Sequence, residues 1–145
     1  MTSKGRIEEL ISSLEGTTAV GLSVAEQGIV NFVKLELKKM SLHLTHFNKE
    51  MTEGRWDNAL VAFLTMVQKA NLLYSYLMQP SVLSTLVTSR IGETAEETLD
   101  TISLTLGEAL TRLKGKQKEM GIESISANLN SSPPSFNISI VMKGT

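Results

Sequence analysis

The sequence contains no cysteine, which removes disulfides, thiol nucleophiles and every thiolate metal site at once. It also lacks a dominant charge: acidic and basic residues nearly cancel to a net −1, with 20% of residues charged. No overall field therefore draws in nucleic acid or an anionic membrane. The Gly-x-x-x-x-Gly-Lys-Ser/Thr phosphate loop, the Gly-x-Gly-x-x-Gly dinucleotide turn and the Gly-x-Ser-x-Gly nucleophile elbow are all missing. The opening stretch, MTSKGRIEELISSLEG, sets Glu8 and Glu9 inside its apolar pattern and has no unbroken apolar run, unlike a secretory signal. At 145 residues the expectation is one domain, 1–145, long enough to bury a core and cytoplasmic.

What is present is dominated by residues 55–79, RWDNALVAFLTMVQKANLLYSYLMQ. Trp56, Leu60, Phe63, Leu64, Val67, Ala70, Tyr74, Leu77 and Met78 recur at three- and four-residue steps and form one broad helical face, with Val61, Leu72, Leu73 and Tyr76 off it. A helix apolar on most of its circumference is either the centre of a bundle or a membrane span. Residues 59–78 have about the length to cross a bilayer. Lys69, with Gln68 and Asn71 beside it, sits where a charge is costly and too deep to snorkel, so the bundle reading is preferred and no membrane contact is expected.

In chain order, residues 6–15 place Ile7, Leu10, Ile11 and Leu14 on one face before Gly16, predicting a short helix with a glycine stop. Ser23-Val-Ala-Glu26 offers a capping box, and a second helix starts there. Its stripe is Ile29, Val33, Leu37, Met40, Leu44, Phe47 and Met51, close to a heptad seam. Phe32, Leu35 and Leu42 lie on a flank outside that seam, available to a second neighbour. The turn at residues 52–54 is too short for anything but an antiparallel helical hairpin.

Gly54, Trp56, Ala59 and Phe63 are spaced as Gly-x-Trp-x-x-Ala-x-x-x-Phe, which resembles the turn and second-helix start of a tetratricopeptide repeat. The resemblance covers about ten residues and implies close helix approach at the alanine. The preceding helix departs from that family, with His43, His46, Phe47 and Glu50 where its aromatic, leucine, glycine and tyrosine would stand. No second copy follows at the family's period, so no peptide-binding residues are carried over.

Pro80 closes the central helix. Residues 81–90 predict a short helix with Val82, Leu83, Leu86 and Val87 inward. Thr94-Ala-Glu-Glu97 reads as a second capping box, opening a helix with a narrow stripe of Ala95, Leu99, Ile102, Leu106, Ala109, Leu110 and Leu113. So narrow a stripe predicts a position on the outside of the bundle. Its acidic start and basic end suit the helix dipole, which already accounts for the clustered carboxylates Glu96, Glu97 and Asp100. After Gly121 the period changes from 3.6 to 2: Ile125, Ala127 and Leu129, then Phe136, Ile138, Ile140 and Met142, alternate with mostly polar residues across a turn at 130–135. The fold class expected is therefore mainly α, an antiparallel bundle of about four or five helices over 6–120 with a C-terminal β-hairpin over 122–143.

Two strands alone are marginal in water, so the hairpin requires a helix surface or another strand. With the second apolar flank, this points to a non-enzymatic assembly or interaction module, homo-oligomeric or bound to another protein. The contact residues expected are Phe136, Ile138, Ile140 and Met142, with Phe32, Leu35 and Leu42 as a second patch. The alternative is nucleic-acid binding through the basic run Arg112, Lys114, Lys116 and Lys118, which holds no aromatic residue for base stacking. Third is a small metal-dependent enzyme using His43, His46 and Glu50, two imidazoles and a carboxylate near one side of a helix. Local hydrogen bonding beside the core seam explains the same histidines more simply, and no cofactor is expected.

Overall fold

The computed structural model describes residues 2–18, 21–89, 91–131 and 134–144. Six helices precede one hairpin among them: α1 (Ser3–Thr18), α2 (Val24–Thr52), α3 (Trp56–Leu77), α4 (Pro80–Thr88), α5 (Gly92–Gly115), α6 (Gln117–Met120), β1 (Ile122–Ser131) and β2 (Pro134–Met142). The mainly α bundle with a C-terminal hairpin is thus present. At about 1.5 Å per residue, α2 is the longest rod, roughly 43 Å. No described helix is long and apolar enough to cross a membrane.

The start of α2 follows the sequence signal. Ser23 accepts from the Glu26 backbone N–H at 3.1 Å while the Glu26 carboxylate accepts from the Ser23 N–H at 3.0 Å, the two reciprocal bonds of a capping box. Its end is equally explicit. Gly54 has φ +70°, its N–H donates to Met51 O, and the Arg55 N–H donates back to Glu50 O at 2.9 Å, which together make a Schellman motif. Glycine is needed there because a Cβ penalises left-handed backbone. The turn sends α3 back along α2. Phe47 and Phe63 close the joint with ring centroids 6.1 Å apart, beside fully buried Ala59.

α3 packs against α2, α4, α5, α6 and β2, while α1 lies on α2 and α5. Its buried face comprises Ala59, Ala62, Phe63, Met66, Val67, Ala70, Leu73, Tyr74 and Leu77. Two residues assigned to the main face, Leu64 and Met78, are exposed, and Leu73, assigned off it, is buried. The face is rotated because the neighbours sit on more than one side of α3.

Several local expectations are corrected. α1 passes through Gly16 to Thr18, since that glycine does not take the positive φ that a glycine stop uses. Val87 points outward at 81% exposure, because α4 is too short to be surrounded. α5 begins at Gly92 with no side-chain cap, two residues ahead of the Thr94 box. Ile91 is buried and Gly92 lies so close to α4 that a Cβ would come within 2.9 Å of Leu86 O, so packing overrides the local cap. α5 is also more enclosed than its stripe suggested. Thr98, Thr101 and Thr105 are buried, and Thr98 and Thr105 donate their hydroxyls to the carbonyls one turn back, both at 2.7 Å. A threonine satisfied in this way presents its methyl to the core, which widens the buried face towards α1, α3 and α4.

β1 and β2 pair antiparallel, with Ile125 opposite Ile140, Ala127 opposite Ile138 and Leu129 opposite Phe136. Ile125, Ile140, Ala127 and Ile138 fall on one face of the sheet, as the alternation predicted. Ser124 stands opposite Val141 in the same register, on the polar face, and a register shift between Ile122 and Ser124 confines the irregularity to the Ile122–Met142 end. The strands extend further into the 130–135 segment than expected, with Ser131 pairing Pro134; Ser132 and Pro133 lie outside the described residues. Proline is tolerated as the first residue of a strand, as Pro134 is in β2.

Candidate interaction surface

The antiparallel α2–α3 pair carries a polar row along one side of its seam. Glu36, His43 and Glu50 stand at successive seven-residue steps on α2, two helical turns apart and therefore in line. Glu36 and Glu50 are each only 4% exposed. Burying a carboxylate is costly unless it is paired, and both have cations within reach. Lys39 Nζ donates to Glu36 Oε1 at 3.2 Å, and Lys69 Nζ from α3 stands 3.9 Å from Glu36 Oε2. That second oxygen is buried and accepts no hydrogen bond.

Glu50 is held by the helix ending beneath it. Arg55 occupies the position after Gly54 where a Schellman motif commonly makes an apolar contact back to the last turn. Here its guanidinium folds over both Glu50 and Glu53. The hydrogen bond from Arg55 holds the Glu50 carboxyl below the ordinary carboxylate range, against the upward push of burial. Between the two acids, burial and the nearby Lys69 charge push the His43 imidazole below its ordinary value of 6.5. His43 is therefore neutral at pH 7.

Apolar side chains flank this row. Leu42 is 71% exposed, Val61 63%, Leu35 51% and Leu72 48%. Leu35 and Leu42 lie two turns apart on α2; Leu72 stands between Lys69 and Tyr76 on α3. At the end of the row Phe32 stacks on Tyr76 with centroids 3.9 Å apart and planes tilted by 31°. Phe32, expected on the free flank, is thus half-buried and engaged within the chain, whereas Leu35 and Leu42 do face solvent.

The hairpin residues divide differently. Ile138 and Ile140 are half-buried against the core, so α3 supplies the surface that the hairpin required. Met142 is exposed. Phe136 pairs with Leu129 in the ladder, and its side chain lies outside the described set. The basic residues Arg112, Lys114, Lys116 and Lys118 are all exposed, but Arg112 Nη1 donates to Asn48 Oδ1 at 2.8 Å. Residues two apart on a helix point to opposite sides, so Arg112 and Lys114 do not form a single row.

Among the described residues, no group of three or more His, Cys, Asp or Glu is placed to hold a metal ion. His46 Nδ1 stands 3.8 Å from Glu50 Oε1, but Glu50 is engaged by Arg55. A core cavity between α1, α2, α3, α4 and α5 is lined by Leu14, Val33, Leu77, Leu86, Ile91 and Thr98 among others, which supply no acid, base or charged group for chemistry. No protein-family model matches the chain, and no curated protein or solved structure matches it.

The residues that sequence reading missed are Glu36 and Lys69 as a buried pair. The seven-residue spacing of Glu36, His43 and Glu50 carried that signal. Val61 and Leu72 were visible as off-face residues of the central helix, but not as neighbours of Leu35 and Leu42.

Proposed function

We propose that the chain is a non-enzymatic assembly module that associates with a second copy of itself through the outer face of α2 and α3. The observation that carries this reading is the exposure of Leu35, Leu42, Val61 and Leu72 beside a polar row already paired within the chain. Two large apolar side chains exposed on each of two adjacent helices, on either side of the polar row, offer a surface that an associating copy can cover. A partner covering this face would desolvate charges that keep their intramolecular partners, so the usual penalty for burying unpaired ions is reduced. The chain's lack of cysteine fits a cytoplasmic location.

Covering the exposed parts of four such side chains contributes on the order of 1–2 kcal/mol each. The loss of translational and rotational freedom opposes this by about 4–15 kcal/mol. The balance favours a reversible dimer over a permanent one. Light scattering over a wide concentration range is expected to show the mass rising above that of one chain, and Leu42→Glu is expected to weaken that rise. A wild-type protein that stays monomeric throughout would refute self-association. Nucleic-acid binding through Arg112, Lys114, Lys116 and Lys118 is the weaker reading, since those cations form no single row.

A further inference from the structure

From Ser124 to Met142 the chain has no ionisable side chain, yet among the described residues β1 and β2 form a sheet of two strands. Each strand therefore has one edge whose backbone N–H and C=O groups meet no neighbouring strand. Proteins ordinarily guard such edges with lysine, proline or a bulge. Here the register shift lies at the start of β1 and the prolines at the turn, so the middle of the β1 edge is unguarded. Gln117 Nε2 reaches Glu123 O at 3.4 Å, which covers only the first residues.

The two strands are not equally placed. β2 rests on α3, with Ile138 half-buried. Ala127, directly opposite Ile138 and on the same sheet face, is exposed. β1 starts on the bundle, with Ile122 buried and Ile125 half-buried against the core, and overhangs it from Ala127, a small residue where its apolar face meets solvent.

We propose that the free edge of β1 pairs antiparallel with the same edge of a second copy, giving a four-stranded sheet in the order β2–β1–β1–β2. A two-fold axis at Ser126 sets Ile125 of each copy opposite Ala127 of the other, and Ser124 opposite Asn128. Apolar faces then lie together and polar faces lie together, because side chains alternate with period two. The part of Ile125 that its own core leaves exposed lies beside the small Ala127 of the other copy. An edge of one charge would repel its twin and select an oppositely charged partner. The uncharged edge of β1 does not repel its twin, and the register about Ser126 matches its faces to those of an identical strand. The proposal rests on the reading of the chain as self-associating but uses a different surface from α2–α3. Two distinct two-fold contacts on one chain generate a closed tetramer or an open array, not only a dimer.

The test uses the full chain carrying Leu42→Glu, so that the helix face is disabled. Ser126→Lys puts like charges against each other at the proposed seam. Ser139→Lys adds the same charge on the same sheet face, on β2 directly across from Ser126 and away from the proposed seam. The expected result is that L42E and L42E/S139K still reach the mass of two chains at high concentration, whereas L42E/S126K remains at one. A wild type that dimerises while L42E is monomeric would overturn the edge contact and leave the helix-face reading standing. Equal masses for L42E/S126K and L42E/S139K would also overturn it. If S126K unfolds more readily than S139K, amide exchange on the L42E chain decides the matter: protection of the Ser124–Asn128 amides that rises with concentration supports the seam, and protection independent of concentration refutes it.

Discussion

The buried Glu36–Lys69 contact predicts an asymmetry that a simple count of salt bridges would miss. Glu36 is almost wholly enclosed, while the side chains of Lys69 and Lys39 are 28% and 40% exposed. Glu36→Met replaces the carboxylate with an apolar side chain of similar length and helix propensity. It loses ~1–2 kcal/mol of attraction to Lys69, since the full Coulomb value of about 4 kcal/mol for such a pair is reduced by solvent, and roughly 0.5 kcal/mol to Lys39. It also removes a buried oxygen that lacks a hydrogen bond, whose desolvation costs about 1–3 kcal/mol. The terms nearly cancel, and both lysines can turn to water. Lys69→Met has no such relief, because it leaves the enclosed carboxylate with Lys39 alone and should destabilise the protein by about 1–2 kcal/mol. Urea unfolding followed by circular dichroism, with equal m-values, should rank E36M level with or above wild type and K69M below both. The double variant should recover most of the K69M loss. If E36M proves the more destabilising of the two, Glu36 is a net stabiliser of the seam and the reasoning fails.

Stability should also depend on pH through His43. Lys69 on α3, and His46, Glu36 and Lys39 on α2, surround it, and its folded pKa lies below the ordinary 6.5. Between those two values the unfolded chain takes up the proton and the folded chain does not, so stability falls as pH drops from about 7 through that window and levels off beneath the folded value. His43→Gln should flatten this segment of the curve; an unchanged slope would reject the assignment. The lowered carboxyl of Glu50 adds a separate loss below pH 4.5, again as pH falls. Gly54→Ala should destabilise by about 1–2 kcal/mol, because alanine is strained at positive φ, and thermal unfolding would measure it.

Much of the architecture was legible because its signals are local. The Ser23–Glu26 box needs only four residues to form, the Gly54 stop only the last turn of α2, and the hairpin faces only a change of period. What was not legible depends on residues distant in sequence. Thr98, Thr101 and Thr105 read as polar in any hydrophobicity pattern, yet the first and last return their hydroxyls to their own helix and offer methyls to the core. Thr94 and Glu97 had the chemistry of a cap, but the close approach of Gly92 to Leu86 O fixed the helix start upstream. Hydropathy shows which face of a segment is apolar; it does not show which elements will cover it. For this reason Ile138 and Ile140 were read as a contact surface when they are the hairpin's attachment to α3.

The polar row between α2 and α3 is the case where both limits meet. Glu36, His43 and Glu50 keep a seven-residue step, so they belong geometrically to the heptad pattern that predicted the seam, but they occupy its edge on the side towards α3. An apolar side chain at each of these positions would extend the core outward and join Leu35, Leu42, Val61 and Leu72 into one continuous greasy face, prone to indiscriminate sticking. Carboxylates and an imidazole there interrupt that face. They also require specific cations, Lys69 from α3 and Arg55 from the turn, which are available in one alignment of the two helices. A slip of α3 along α2 by one turn, about 5.4 Å, would separate Glu36 from Lys69 and leave a buried charge less compensated. The Glu36–Lys69 contact therefore adds to the Gly54 turn and the Phe47–Phe63 joint in favouring one register of the α2–α3 pair, and with it the spacing of the leucines that the proposed second copy would meet.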